Sequence, residues 1–261
     1  MLRDLWGHRA FVAAIVRREF ALRSVRAVWG ALWLLIQPAV LILIYTVVFG
    51  QLLHARLPGV SDSLGYGLFV CAGLITWGFF SELVLRSQNL FLEHAPLLKA
   101  VRFPRSLLPI ALVLACSINF ALIAGIFLVT LLFIGRWPGV ALLGTIPLLA
   151  VQSLLAIGLG VLVGTLHVFF RDVGQMAQVL LQFWFWLTPI VYPVSIVPDA
   201  ARAVIAWNPM FYLVSGYQRV ILEHAMPEWG GLPIIFAAAL ASGLLSWWVF
   251  RLLSPDLVDE L

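Results

Sequence analysis

Long uninterrupted apolar runs restrict this chain to a membrane fold. Six runs are long enough to cross a hydrocarbon core, which takes about 20 apolar residues in a helix. They are Trp29 to Leu53, Leu64 to Leu85, Leu107 to Ile134, Val140 to Leu166, Met176 to Tyr192 and Leu232 to Leu253. The runs are continuously apolar rather than alternating, which favours helices over the strands of a barrel. The predicted fold is therefore an all-α membrane protein with six transmembrane helices.

The basic residues are distributed unequally between the two sides of these spans. Six arginines precede the first span, and four basic residues lie between the second and third: Arg86, Lys99, Arg102 and Arg105. By the positive-inside rule this side is cytoplasmic, and an even number of spans places both termini there. The asymmetry accounts for the net charge of +4, which does not indicate nucleic-acid binding.

The sole lysine, Lys99, lies between Leu98 and Ala100. A phosphate-binding P-loop requires Gly-Lys followed by Ser or Thr, so this lysine cannot belong to one. Energy for transport against a gradient must then come from a partner or from an ion. Ion-driven carriers usually carry an acidic residue at mid-membrane. Glu82 lies near the inner end of its span and one turn before Arg86, which favours a structural ion pair instead.

Three segments outside the spans have distinctive compositions. Residues 1–28 predict a cytoplasmic amphipathic helix, and two roles are open for it: lying on the inner leaflet or binding a partner. The loop 86–106 mixes apolar and charged residues, which favours a short docking helix over one lying on lipid head groups. The segment 193–231 is too apolar for an open outer loop. It predicts two short re-entrant helices, whose backbone must face protein or water.

Aromatic residues are concentrated in the first and fifth spans. Many lie at span ends, as interfacial belts do. Trp33, Tyr45 and Phe49 lie deeper, and we single them out together with Trp184 and Tyr192 of the fifth span. Aromatic faces pack against the C–H groups of sugar rings, so these residues are candidates for a carbohydrate path. Ordinary core packing is the alternative, and the sequence leaves both open.

The order of several short motifs resembles the ABC-2 type permeases that export O-antigen, teichoic acid and capsule. The motifs are Arg17-Arg18-Glu19-Phe20, Trp29-Gly30-Ala31-Leu32-Trp33, Gln37-Pro38, Phe170-Arg171-Asp172-Val173, Pro189-Ile190-Val191-Tyr192, and Asn208-Pro209-Met210 with Arg219. The resemblance covers nearly the whole chain, and within the family the chain is most similar to Wzm-like O-antigen permeases. It implies residence in the bacterial inner membrane, with residues 29–261 forming one transmembrane domain.

The resemblance also implies partners and residue roles. It implies a homodimer that binds a separate ABC ATPase subunit, with ATP and Mg held by that partner, and a glycan substrate carried on a polyprenyl diphosphate lipid. It assigns no catalytic residue, metal or cofactor to this chain. Coupling to the ATPase would involve Glu93, Lys99, Arg102, Arg105, Arg171 and Asp172. The outer gate helices would lie within Ile196 to Leu222 and include Asn208, Pro209, Tyr212 and Arg219.

Two other functions are weighed against polysaccharide export. Permeases for small hydrophobic drugs or lipids share this layout. An intramembrane lipid-modifying enzyme would need His, Asp or Glu clustered near one membrane face. The histidines are instead scattered along the sequence, among them His54, His94, His167 and His224.

Overall fold

The computed structural model describes residues 63–100, 107–255 and 257–260, together with Arg17, Ile36, Val40, Leu43 and Ile44. The helices in the three ranges are α1 (Ser63–Glu93), α2 (Ala95–Ala100), α3 (Leu107–Phe133), α4 (Thr145–Phe169), α5 (Asp172–Leu187), α6 (Asp199–Ile205), α7 (Pro209–Leu222), α8 (Leu232–Leu253) and α9 (Leu257–Glu260). Short 3-10 turns cover Gly139–Gly144, Val194–Ile196 and Trp229–Gly231. No strand occurs among the described residues, which confirms the all-α class. The predicted first span and the predicted N-terminal helix lie outside the described residues.

Four helices in the described ranges are long and apolar enough to cross a membrane. They are Leu64–Glu93, Leu107–Phe133, Gly139–Phe169 and Trp229–Leu253. They correspond to the predicted second, third, fourth and sixth spans. The two short helices predicted in the segment 193–231 are present as α6 and α7.

Several helix ends differ from the sequence prediction, and the C-terminal ends of α1 and α5 are the clearest cases. α5 has 16 residues and ends at Leu187, before the predicted end of the fifth span at Tyr192. Thr188 is extended (φ −102°, ψ 129°), the conformation that a following proline favours. α1 continues past its predicted end to Glu93, because the polar residues there are accommodated within the helix. The Ser87 hydroxyl, for example, donates to the carbonyl of Leu83 at 2.6 Å.

α1 is the central helix of the described fold. Of its most apolar window, 67% is buried, against 22% for α3 and for α8. α4 runs parallel to α1: Gln152 donates to the carbonyl of Thr76 at 2.7 Å, and Gly164 packs against Ser87 farther along both helices. α3 runs antiparallel to α1, since Asn119 donates to Glu82 at 2.7 Å while Phe127 packs near the beginning of α1.

Small residues allow α1 and α4 to approach closely. A Cβ added to Gly160 would lie 2.4 Å from the Cβ of Ser87, and one added to Gly164 would lie 2.4 Å from the Ser87 carbonyl oxygen. Both distances are far below contact, so only glycine fits at these two positions. Small residues four apart are a common basis of helix packing in membranes, where close backbone contact replaces the hydrophobic effect.

The helix directions divide the described chain into two ends. We call the end that holds residues 88–100, 167–174, 250–255 and 257–260 the inner end, because the sequence predicts it to be cytoplasmic. Phe91, Val168 and Leu257 form a buried cluster there, and the Phe91 ring stacks on Phe250 at 5.6 Å. The outer end holds residues 63–70, 131–146 and 189–231. The two ends are therefore connected through the four long helices α1, α3, α4 and α8.

Candidate functional site

Asn208 joins the end of α5 to the beginning of α7. Its Oδ1 accepts hydrogen bonds from Trp184 Nε1 at 2.9 Å and from the backbone N–H of Met210 at 3.0 Å. Its Nδ2 donates to Thr188 Oγ1 at 3.0 Å, and the Thr188 hydroxyl donates to the carbonyl of Trp184 at 2.9 Å. The bond from Met210 caps α7, satisfying a donor that a helix start leaves unpaired. Pro209 suits the first helical position because it has no N–H to satisfy.

A cavity of about 710 Å³ lies between the end of α5 and the α6–α7 pair. Trp184, Tyr192, Asn208 and Pro209 all line it. The structure thus brings two predicted substrate-path residues together with two predicted gate residues. The rest of the lining is apolar: Leu187, Val197, Ala201, Val204, Ile205 and Trp207. The volume lies within the range of roughly 300–1,000 Å³ that is usual for ligand sites.

The aromatic wall of this cavity is held rigidly. The Trp184 ring makes edge contacts with Trp77 at 6.3 Å and with Phe80 at 5.2 Å between centroids. Both partners belong to the buried core around α1. The Tyr192 hydroxyl donates to the carbonyl of Trp186 at 2.8 Å, which fixes the chain just beyond α5. The rings present fixed surfaces to the cavity because their polar atoms are already paired.

α7 is anchored along its length at the outer end. Gln218 is buried, and its Nε2 donates to the carbonyl of Phe69 at 3.3 Å. The predicted gate residue Tyr212 donates its hydroxyl to the carbonyl of Ala206 at 2.9 Å, which ties α7 to the turn that follows α6. The Tyr66 hydroxyl donates to the carbonyl of Val191 and holds the chain between α5 and α6 against α1.

The predicted gate residue Arg219 lies among carboxylates. Its guanidinium pairs with Glu223 at 3.1 Å and also with Glu228. All three residues line a second cavity of about 430 Å³, together with Tyr212 and Phe211. The sequence analysis missed both glutamates. The i,i+4 spacing of Glu223 from Arg219 could have revealed the first, whereas the second comes from the loop after α7 and has no local signal.

Four of the predicted coupling residues lie at the inner end. Glu93 ends α1 and Lys99 lies in the last turn of α2, while Arg171 precedes and Asp172 begins α5. All four are exposed. Asp172 also suits the first turn of a helix, where the backbone dipole favours an anion. Arg102 and Arg105 lie outside the described residues.

The corner between α4 and α5 packs tightly against α1. A Cβ added to Gly174 would lie 2.6 Å from both Gln88 Nε2 and His167 Cε1. The Oε1 of Gln88 and the Nδ1 of His167 are buried there, and neither has a hydrogen-bond partner among the residues that the structure describes. The segment 86–106 and the α4–α5 corner, which are both predicted to couple to the ATPase, are therefore in direct contact at Gln88.

Comparison with known proteins agrees with this architecture. The family described as ABC-2 type transporter matches residues 11–222. The chain belongs to the ABC-2 type transporter family. It is 29% identical over 247 residues to the O-antigen export system permease protein RfbA of Myxococcus xanthus, covering 94% of this chain and 92% of that relative. It is 25% identical over 213 residues to a Klebsiella pneumoniae protein of the same name, covering 81% and 80%. It is 24% identical over 222 residues to the polysialic acid transport protein KpsM of Escherichia coli, covering 83% of each.

Membership of the ABC-2 family makes the chain a multi-pass membrane permease, as the sequence resemblance predicted. Within the described residues, no group of three or more His, Cys, Asp and Glu side chains could hold a metal ion. The predicted Glu82–Arg86 ion pair is confirmed at 3.5 Å. Three predicted substrate-path residues of this permease, Trp33, Tyr45 and Phe49, lie outside the described residues.

Proposed function

We propose that this chain is the membrane-spanning subunit of an ATP-driven ABC exporter that moves a lipid-linked, O-antigen-like polysaccharide across the bacterial inner membrane. The observation that carries the proposal is the similarity along 94% of the chain to a relative named for O-antigen export. A second relative is named for transport of polysialic acid, which is also a polysaccharide. The function proposed is transport, with ATP hydrolysed by a separate subunit.

The geometry of α7 supports a gate at the outer end. Asn208, at the beginning of α7, contacts Trp184, which packs against Trp77 halfway along α1. Gln218, near the other end, contacts Phe69 close to the beginning of α1. α7 therefore runs from the depth of the middle of α1 to its outer end. In the proposal, α6 and α7 form a re-entrant pair that closes the outer side of the path.

The inner end supports contact with an ATPase. Glu93, Lys99, Arg171 and Asp172 form a charged and exposed set there, on the side predicted to be cytoplasmic. We propose that α2 and the α4–α5 corner bind the ATPase together and that two copies of the permease form the complex. ATP and Mg would be bound by the ATPase, and the glycan would be linked to a polyprenyl diphosphate. Both termini would be cytoplasmic.

Deletion and complementation test the proposed function. Deleting the gene should remove the surface polysaccharide and accumulate lipid-linked glycan on the inner side of the membrane. Complementation with the chain should restore surface glycan, but only when the ATPase partner is active. The measurements are surface glycan and extracted lipid-linked glycan. An unchanged surface glycan, together with altered efflux of a hydrophobic drug or lipid, would transfer the assignment to the second kind of permease.

A further inference from the structure

The residues of α5 form three different faces. At 100° per residue, Gly174, Ala177 and Leu181 share one face, and all three are buried. Met176, Leu180 and Phe183 share a second face, which is apolar and exposed. The third face, which we call the glutamine face, lies between them and carries Gln175, Gln178 and Gln182, all of which are exposed. The sequence analysis assigned no role to these glutamines.

The position of α5 makes three exposed amides costly. α5 lies beside α1, a membrane-spanning candidate, from Gly174 against Gln88 to Trp184 against Phe80. Gln178 and Gln182 lie between these two contacts and are thus at the depth of a hydrocarbon core, whereas Gln175 lies at its inner edge. Lipid tails offer an amide no hydrogen bond, so polar side chains at this depth face protein or a water-filled cavity.

Contact with water explains the exposed glutamine face better than packing against a second copy of the chain does. Close helix interfaces in membranes favour small residues, which let the backbones approach. The small residues of α5 are Gly174 and Ala177, and both are already buried within this chain. The glutamine face instead carries three long side chains, all between Gly174 and Phe183.

The glutamine face also connects the two ends of the molecule. Arg171 lies on the same side of the helix at the inner end, and the exposed Trp186 lies on it near the outer cavity. Each neutral amide offers both donors and an acceptor, which match sugar hydroxyls. None carries a charge that would hold a passing chain tightly.

We propose that Gln175, Gln178 and Gln182 line a hydrated path and exchange hydrogen bonds with the hydroxyl groups of a sugar chain moving past them. This inference rests on the proposed function for the identity of the substrate. The presence of water in the path does not depend on the proposed function. An experiment on water access can therefore test this inference separately from the proposed function.

Thiol labelling in membrane vesicles tests water access in the full-length chain. The probe is a charged thiol reagent that cannot cross the bilayer, because it reacts with thiolates, which form only in contact with water. Gln178→Cys and Gln182→Cys should label at least about tenfold faster than the matched controls Met176→Cys and Leu180→Cys on the apolar face. The unsubstituted chain supplies the background, since its Cys71 and Cys116 are buried. Labelling of the glutamine-face variants no faster than of the controls overturns the path.

A cross-link assay on the same variants separates a path from a dimer interface. Efficient disulfide formation between two copies of Gln178→Cys, combined with slow labelling, would assign the face to contact between copies and overturn the proposal. Fast labelling with wild-type dimer yield is the expected result.

Export measurements then test the role of the amides. The double variant Gln178→Leu/Gln182→Leu should reach the membrane normally but export at least about tenfold less glycan per folded transporter, because two hydrogen-bonding groups are lost. The matched variant Gln178→Asn/Gln182→Asn keeps the amides and should export close to the wild-type level. Equal export by both doubles overturns the contact with sugar. If the unsubstituted chain exports no glycan at all, the proposed function fails while the labelling result still reports on the path.

Discussion

Replacing Asn208 with alanine should selectively weaken the connection between α5 and α7. The substitution removes the cap on the Met210 N–H and the acceptor for Trp184 Nε1, which are bound at 3.0 and 2.9 Å. Loss of an N-cap typically costs about 1 kcal/mol. A side-chain hydrogen bond inside a membrane protein is worth about 0.6 kcal/mol on average and up to about 1.7. The combined cost is therefore about 2 kcal/mol, concentrated at the beginning of α7.

Hydrogen exchange measures this cost directly. A local destabilisation of about 2 kcal/mol raises the population of the open state roughly 30-fold, since each 1.4 kcal/mol is a factor of ten. The amides of Met210 and Phe211 should therefore exchange about 30-fold faster in Asn208→Ala. Amides in the middle of α4 should be unaffected, because α4 forms none of the bonds that are removed.

Two further variants separate the contributions that the individual hydrogen bonds of Asn208 make to the stability of the beginning of α7. Asn208→Asp keeps both acceptor bonds and loses only the donor bonds to Thr188 and Leu187, at 3.0 and 3.4 Å. It should exchange more slowly than the alanine variant. Trp184→Phe removes one hydrogen bond and keeps most of the ring packing, so its effect should be about 1 kcal/mol or less. Unchanged protection of Met210 and Phe211 in Asn208→Ala would refute the reasoning.

Three other perturbations have defined outcomes. The purified chain in lipid should hydrolyse no ATP until an ATPase partner is added, and robust turnover by the chain alone would contradict the absence of a nucleotide site. Glu93→Ala combined with Lys99→Ala should reduce export without affecting membrane insertion. Truncating one partner of a charge pair buried in the proposed interface with the ATPase costs about 2–5 kcal/mol. Normal export by the double variant would show that these side chains are not needed for coupling. Gly164→Ala should lower the yield of folded protein because overpacking costs about 1–3 kcal/mol, whereas Gly125→Ala, whose new methyl meets open space, should be tolerated.

The sequence predicted the helices best where apolar runs are long. The sixth predicted span, Leu232 to Leu253, coincides with α8, and the third, Leu107 to Ile134, differs from α3 by one residue. A helix that crosses a membrane must be predominantly apolar along its length, so composition alone locates it. The boundaries of α1 and α5 were predicted less well. There the helix end depends on local bonds, such as that of Ser87, and on the extended backbone of Thr188.

The sequence could name site residues but could not pair them. Asn208 was recognised from a turn motif, yet its partner Trp184 lies 24 residues earlier and was predicted to face the substrate. The structure shows the ring of Trp184 lining the cavity while its indole N–H donates to Asn208 in the turn before α7. No periodicity links the two residues, because their contact depends on α5 ending where it does. The pairing of Arg219 with Glu228 could not be predicted either, because Glu228 lies in the loop after α7 and no periodicity links it to Arg219.

Stability is distributed unevenly between the elements of the described fold, in a way that suits the proposed gate. α1 and α4 are locked where Gly164 meets the backbone carbonyl of Ser87, because no side chain can rearrange there to relieve a shift. At the outer end, α7 buries eight residues, whereas α6 buries only Ile205. Segments with few buried contacts open at the lowest free energy. In the proposed exporter, a displacement of α1 and α4 would therefore be carried along both helices together, and α6 is the element that can yield to it.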